Sequence, residues 1–389
     1  AVVCGQLGRP GTGDNPLRGQ NNVQGASDMG CLPDVYPGYQ KVSDPEVREK
    51  FARAWGVEQP SAPGLTSLGM SEAALRGEFR ALMVLGEELV VTDPDQHKLA
   101  RALQALDFLV VVELTLSETA RFADVVLPAA SFAEKDGTFS NCERRMQLLH
   151  KAIEPPGQAR ADWQILAALA ERMGYEGMRW TSAAEVFAEM AARAPVFSAI
   201  SHARRAPAGG LQWPCDEAHP AGTAILHRHC FPRGRAQLIP VSQVEPDECP
   251  DADYPFCFTT QRLHFHYGGG AMTRKSPLLE REIPAGLLFI HPQDAARLGL
   301  DEAQGVRVAS RRGVLETRAH LTDDVPPGTV AMPYHFREAP CNRLTNSAQD
   351  PISHMPELKA CAVALTTLPP GQVPRIELER PQEAAHAGL

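Results

Sequence analysis

Long apolar runs are missing from this chain: Phe108-Leu-Val-Val-Val112 and its like stop far short of the ~20 residues a membrane span needs, and no basic-then-apolar leader opens the sequence. Nine cysteines are scattered without a single C-x-x-C pair, which excludes the familiar structural zinc and iron–sulfur cysteine motifs and suits reduced thiols. Cys215, His227, His229 and Cys230 supply ligand types, but at the wrong spacing for those motifs, so no metal ligand is assigned among them. An excess of positive charge is lacking as well. The formal net charge is -9 and spread along the chain, which argues against a nucleic-acid partner. The expectation from these absences is a cytoplasmic globular protein with no membrane span.

What is present suffices for two or three domains, since 389 residues at 43% hydrophobic content can fill ordinary cores. Asp44-Pro45 reads as a helix cap followed by proline at the first helical position, with Val47, Phe51 and Trp55 on one face and Gly56 as the stop. Ala81-Leu-Met-Val-Leu85 reads as a buried strand, Asp93-Pro94 as the cap of a helix carrying Leu99, Leu103 and Leu106, and Phe108-Leu-Val-Val-Val112 as the next strand. A short helix over 117–122 and a strand over 124–127 follow. This alternation implies parallel pairing with helices on the sheet faces, and ligands at the carboxyl ends of the strands: 86–88, 113–119 and 128–131. Asp162 opens a helix with Ile165, Leu166, Leu169 and Met173 on one side, and Ser182-Ala-Ala-Glu185 forms a capping box for another. From Tyr254 the period changes to short alternating strands around Phe256-Cys-Phe258, Val306-Arg-Val308 and Leu315 to Leu321, with one helix near 292–298. The expected organisation is an α/β parallel-sheet, Rossmann-like domain over 1–203, an irregular connection over 204–250, and a mostly-β barrel over 251–389.

The most unusual segment is Asn15-Pro-Leu-Arg-Gly-Gln-Asn-Asn-Val-Gln-Gly-Ala26, which sets one arginine among side-chain amides between two glycines. Such amides compete with regular ladders for backbone hydrogen bonds, and glycine permits conformations other residues avoid. The segment reads as a loop holding Arg18 toward something polar; a solvated, turn-rich loop with Arg18 in a structural ion pair is the alternative.

Together with Gly8-Arg-Pro-Gly-Thr-Gly13, this segment resembles the large subunit of molybdopterin-dependent formate dehydrogenases, within the molybdopterin oxidoreductase family. The resemblance continues in order to about Ala364: Asp28-Met-Gly, Tyr36-Pro-Gly-Tyr-Gln40, Ala123-Asp-Val-Val-Leu-Pro-Ala-Ala-Ser-Phe-Ala-Glu-Lys-Asp-Gly-Thr-Phe139, Glu143-Arg-Arg145, Thr259-Thr-Gln-Arg262, His266-Tyr267, Met272-Thr-Arg274 and Met332-Pro-Tyr-His-Phe336. It implies a molybdenum (or tungsten) centre held by two molybdopterin guanine dinucleotides, formate as substrate, and a final double-psi β-barrel domain. It also implies that Arg18 matches the arginine beside the metal. An arginine suits that place, because its planar fork binds a carboxylate through two parallel hydrogen bonds and stays protonated.

For the guanine dinucleotide, carboxylates at strand ends can accept from the guanine N1 and N2 hydrogens. Glu88, after the Gly86 turn, and Glu113 stand at such ends, where the family more often has Asn or Asp, and Asp. Solvated loop carboxylates are the alternative. Ser117 and Thr119 could donate to phosphate at a helix start, although Ser117 is otherwise an ordinary cap. The resemblance further implies that Arg262, His266, Tyr334, Asn342 and Lys359 line the pterin cofactor. Three departures bear on this pocket: Gln261 for the usual glycine, Gly268 for a second histidine, and Leu358 for a tyrosine.

The family's large subunit begins with a domain binding a [4Fe-4S] cluster and then supplies the cysteine or selenocysteine that ligates the metal. Neither precedes Ala1, so the resemblance implies the C-terminal portion alone, expected to be inactive without the N-terminal half and its electron-transfer subunits. The alternatives are a non-catalytic relative, as in the large peripheral-arm subunit of NADH dehydrogenases, and a related molybdenum oxidoreductase with another substrate.

Overall fold

The structure, a computed structural model, describes residues 1–204, 209–231, 234–372, 374 and 375. Residues 205–208 and 232–233 of the expected connection, and 373 and 376–389 of the expected barrel domain, lie outside the described residues. Two compact units form: Ala1–Thr66 with Ala129–Val241, and Ser67–Pro128 with Ser242–Leu389. Each unit is therefore assembled from two separate stretches of chain.

In the first unit the helix Pro45–Trp55 forms as its local signals dictate. Asp44 accepts from the Glu46 and Val47 N–H groups, Pro45 pre-sets the first turn, and Gly56 stops the helix at φ 67°. Its apolar face packs Phe51 on Tyr36, ring centroids 4.3 Å apart, with Trp55 4.8 Å from Phe51. The helix Asp162–Arg172 also forms, but only Ile165 of its expected apolar face is buried; Leu169 and Met173 are 42% and 77% exposed. Ser182 caps the helix Ala183–Arg193 by accepting from the Glu185 N–H, whereas the Glu185 carboxylate turns to the Thr181 N–H and hydroxyl instead of closing the box.

The second unit holds the predicted parallel strands in one sheet: β1 (Ala81–Leu85), β2 (Phe108–Glu113) and β3 (Val125–Pro128), with β2 in the middle. Val84, Leu109 and Val111 pack against Leu99 and Leu103 of the helix Gln96–Gln104. That helix is capped by Asp95 and not by Asp93. Proline disfavours helical backbone in the residue before it, so Asp93 stays extended at ψ 148° and closes the short helix Leu89–Thr92, which moves the next cap past Pro94.

The C-terminal stretch closes a six-stranded barrel from β4 (Phe256–Gln261), β5 (Leu287–Ile290), β6 (Gly305–Ala309), β7 (Val314–Leu321), β8 (Thr329–Pro333) and β9 (Cys361–Thr367). Its order is β5-β7-β6-β9-β4-β8, with β5/β7 and β4/β8 parallel and the remaining pairs antiparallel. Period-2 alternation turns Phe258, Leu288, Ile290, Val306, Val308, Val330 and Met332 inward, all fully buried. Among the described residues no helix is long and apolar enough to cross a membrane.

Candidate functional site

Arg18 lies in the irregular stretch ahead of the helix Val23–Asp28, exposed, with no hydrogen bond or ion pair to another described residue. The helix itself is firmly footed. Asn22 enters it in the left-handed region, φ 58°, and its Oδ1 accepts the Ser140 N–H at 3.0 Å. A Cβ on Gly25 would sit 2.1 Å from that same oxygen, which accounts for the glycine. At the far end the fully buried Asp28 accepts from Gln24 Nε2 at 2.7 Å, the Tyr39 hydroxyl at 2.9 Å and Trp213 Nε1 at 2.8 Å. The segment that reads as a loop around Arg18 thus presents an exposed guanidinium, unpaired among the described residues, ahead of a firmly held helix.

A polar cavity of about 270 Å³ opens in the second unit, lined among others by Glu88, Ser117, Glu118, Gly269, Gly270 and Arg274. Glu88 is buried and accepts from the Glu118 N–H at 2.8 Å, the Thr119 N–H at 2.9 Å and the Thr119 hydroxyl at 2.7 Å. Burial pushes its carboxyl up, only partly offset by those bonds. On the opposite wall Arg274 forks onto Glu280 at 3.1 and 2.7 Å and reaches Glu338 at 2.6 Å, while Arg337 joins Glu338 to Glu118 at 3.0 and 2.6 Å. Burial raises Glu338, but its hydrogen bonds from Arg274 and Arg337 outweigh that and hold the carboxyl below its ordinary range. Lys275 lines the same cavity without an ion pair to any described residue.

A second cluster follows from barrel register. Parallel pairing of Gln261 with Pro333 makes β4 and β8 leave the barrel at the same end, so Arg262 and Tyr334 emerge side by side, the guanidinium carbon 5.7 Å from the ring centroid. Antiparallel pairing of Cys361 with Phe258 brings Lys359 level with Thr260, whose carbonyl accepts from its ammonium. Neither Arg262 nor Lys359 forms an ion pair with a described residue. Burial and the Arg262 charge both push Lys359 down. Beside them Gln261 Nε2 is a buried donor without an acceptor among the described residues.

The residues singled out by sequence therefore divide into groups. Glu88 and Ser117 line the cavity, and Arg262, Tyr334 and Lys359 gather in the cationic cluster. Thr119, His266 and Asn342 turn their polar atoms to the scaffold. Thr119 Oγ1 accepts the Val90 N–H and donates to Glu88; His266 Nε2 meets the Ile283 carbonyl at 2.9 Å; Asn342 Nδ2 donates to the Val91 and Thr92 carbonyls at 2.8 and 3.0 Å. Gly86 makes a left-handed turn at φ 64° after β1, and Glu113 ends β2 with its carboxylate on the Leu114 N–H, both apart from the cavity lining. Sequence reasoning missed His335, Arg337 and Glu338 on the cavity wall, although the Met332–Phe336 motif beside them carried the signal. Among the described residues no group of three or more His, Cys, Asp or Glu is placed to hold a metal.

Two family models match the chain: Molybdopterin oxidoreductase over residues 1–172 and Molydopterin dinucleotide binding domain over 256–362. The chain is 47% identical to the F420-dependent formate dehydrogenase 1 subunit alpha of Methanococcus maripaludis, covering 93% of this chain and 54% of that protein. It is 45% identical to the corresponding alpha subunit of Methanocaldococcus jannaschii, covering 94% of this chain and 54% of that protein. The chain thus spans about half the length of these curated relatives. In fold it is similar to acetylene hydratase from Pelobacter acetylenicus, with a TM-score of 0.60 and 18% identity over 83% of this chain and 50% of that one.

Proposed function

The chain belongs to the molybdopterin oxidoreductase family, and from that membership we propose that it is the C-terminal part of a formate dehydrogenase catalytic subunit, oxidising formate to CO2 at a molybdenum or tungsten bis(molybdopterin guanine dinucleotide) centre. The observation that carries the cofactor reading is the pair Arg262 and Lys359, two neighbouring cations without a carboxylate partner among the described residues, beside the unpartnered donor Gln261 Nε2. One buried donor without an acceptor and two like charges in one place call for an anion with several acceptor oxygens, which a diphosphate provides. The cavity has the complementary character. Its lining sets three cationic side chains, Arg274, Lys275 and Arg337, against four acidic ones, Glu88, Glu118, Glu280 and Glu338, so it disfavours a phosphate and offers acceptors to a guanine edge. Glu113, at the carboxyl end of β2, offers one more acceptor. Tyr334 packs beside the diphosphate, Ser117 faces the sugar, and Gly86, Thr119, His266 and Asn342 hold these groups in place. The barrel takes the double-psi form and the parallel sheet is Rossmann-like.

When bound, the cofactor supplies a metal centre that accepts the two electrons of the formate C–H bond. The chain's contribution to that step is Arg18, whose fork binds both formate oxygens and so fixes the direction of the C–H bond; as a group that does not deprotonate, it orients and moves no proton. The remaining length of the relatives is assigned the [4Fe-4S] cluster, the cysteine or selenocysteine on the metal, and the contacts to electron-transfer subunits. In the complete subunit, Arg18→Lys is expected to abolish formate-dependent dye reduction while leaving metal and guanine nucleotide content unchanged. Near-normal turnover in that variant overturns the role of Arg18, and a loaded protein that releases no guanine nucleotide on acid hydrolysis overturns the cofactor.

A further inference from the structure

One imidazole ties the cationic cluster to the cavity. His335, 1% exposed, follows Tyr334 out of β8 and meets the loop that leaves β4 at two points. Its Nε2 accepts the Leu263 N–H at 3.0 Å, and its Nδ1 donates to the Gly268 carbonyl at 2.5 Å. Leu263 is the residue after Arg262, and Gly268 is the residue before the Gly269-Gly270 wall of the cavity. A backbone N–H can only donate and a carbonyl can only accept, so these two partners fix a neutral ring with its proton on Nδ1. The ring is packed against Tyr334, His266 and Phe336, centroids 4.8, 5.8 and 6.2 Å away.

We propose that His335 is a positioning residue that sets the spacing between Arg262 and the glycine wall, and that protonation of its ring releases the 263–268 loop. A proton on Nε2 would face the Leu263 N–H donor to donor and remove one of the two ties. The titratable and charged groups around the ring are His266, Arg262, Arg274 and Tyr334; burial and the positive charges among them all disfavour the protonated ring, while the Gly268 carbonyl favours it. The clamp stands on this geometry alone. That the spacing serves a guanine dinucleotide rests on the function proposed above.

The two parts are tested separately on the chain as it exists. Amide exchange of Leu263, corrected for intrinsic exchange, is expected to lose protection on acidification, by ~10-fold per pH unit once the ring titrates, the slope of a one-proton linkage. His335→Gln, whose amide offers both a donor and an acceptor but takes up no proton, is expected to keep that protection across pH 5 to 8. His335→Leu is expected to lose it throughout. If a variant fails to fold, the imidazole 15N shifts of the unmodified protein decide, since a ring without the Nδ1–H tautomer at pH 8 overturns the clamp. Protection of Leu263 that does not change with pH, or that persists in His335→Leu, overturns it too. Guanosine diphosphate serves as the probe of the ligand: because its own terminal phosphate titrates at pH ~6, a fall in affinity from pH 8 to pH 5.5 that is larger in the unmodified protein than in His335→Gln supports the proposal, and an equal fall in both overturns it. Absence of guanosine diphosphate binding at both values contradicts the dinucleotide reading and leaves the clamp to the exchange data.

Discussion

The Tyr39 hydroxyl donates to Asp28 over 2.9 Å, and both residues are locked beyond that one bond. Asp28 is fully buried with three donors converging on it, while Tyr39 has a left-handed backbone, φ 61°, that a bulky side chain adopts only where its surroundings hold it. Burial, and then the negative charge of Asp28, push the Tyr39 phenol to about 12, with the Arg18 charge acting the other way. A phenol whose pKa is raised on folding stabilises the fold fully below its unfolded value near 10, and that contribution is lost as pH rises toward 12. Ultraviolet titration is expected to find one tyrosine ionising near pH 12, moving down in Asp28→Asn. Asp28→Ala is expected to cost about 2 kcal/mol in urea unfolding, because it strands the buried Gln24 amide and leaves the part-buried Tyr39 and Trp213 donors without their acceptor.

Glu88 makes a second buried acceptor, this time for two N–H groups and a hydroxyl. Glu88→Gln keeps the size but replaces one acceptor oxygen by a donor, leaving at least one donor of the Glu118 to Thr119 turn unsatisfied. A loss of about 2 kcal/mol in thermal or urea unfolding is the expected outcome. An unchanged midpoint would mean that the carboxylate is solvated and not the anchor of this turn.

These two anchors also mark where sequence reading stops. The helix Pro45–Trp55 was legible because its cap, proline and terminal glycine are neighbours in sequence, and the barrel strands were legible because alternation is local too. The cap at Asp95 was not, since Asp93-Pro94 and Asp95 offer competing local signals, and the cap-plus-proline pattern masks the restriction that Pro94 places on Asp93. Arg18, Arg262 and Lys359 were found through the resemblance. The cavity wall was missed because Gly269, His335 and Arg337 meet only through the pairing of Gln261 with Pro333, far apart in sequence.

Thiol reactivity checks the burial pattern independently. Burial pushes the Cys341 thiol far up and the Cys361 thiol to about 12, and Cys215 is buried as well. A thiolate is the reactive species, so these three are expected to resist an aromatic disulfide reagent in the native state, while exposed Cys4, Cys142, Cys230 and Cys249 react at once. Mass mapping of the labelled cysteines identifies them, and prompt labelling of Cys341 would contradict the closed barrel.

Asp93 stands in the opposite electrostatic situation to a salt-bridged acid. Burial, with the nearby Glu87 charge, pushes its carboxyl to about 6 although Ser67 donates to it at 3.2 Å. A carboxyl raised on folding favours the fold fully below its unfolded value near 4, and that contribution is lost as pH rises through about 6. The native charge is therefore a liability at neutral pH. Asp93→Asn keeps an acceptor for Ser67 and removes the charge, so it is expected to stabilise the protein by about 1 kcal/mol at pH 7.5 and to have little effect at pH 4. Urea midpoints at both values measure the difference. Equal effects at the two pH values would assign the change to packing instead of titration.

Arg262 and Lys359 give the prediction that separates fold from function. Two cations held together without a counter-ion among the described residues repel each other in the free protein, and the lowered pKa of Lys359 carries the same sign: deprotonating it is easier than in the unfolded chain. A lysine depressed on folding makes stability rise with pH up to its unfolded value near 10.4. Lys359→Met removes the repulsion together with the hydrogen bond to the Thr260 carbonyl, so the midpoint at neutral pH is expected to move by less than about 1 kcal/mol. The rise toward alkaline pH should disappear with it. Binding should respond quite differently, since a diphosphate loses one of its two charged partners; guanosine diphosphate affinity is expected to fall ~10-fold and its salt dependence to weaken. If the affinity holds while the alkaline rise disappears, the pair is a strained feature of the barrel rim and the anion site lies elsewhere. If both change together, the rim is destabilised in the free chain by the charges that its ligand neutralises, as binding sites that trade stability for affinity are.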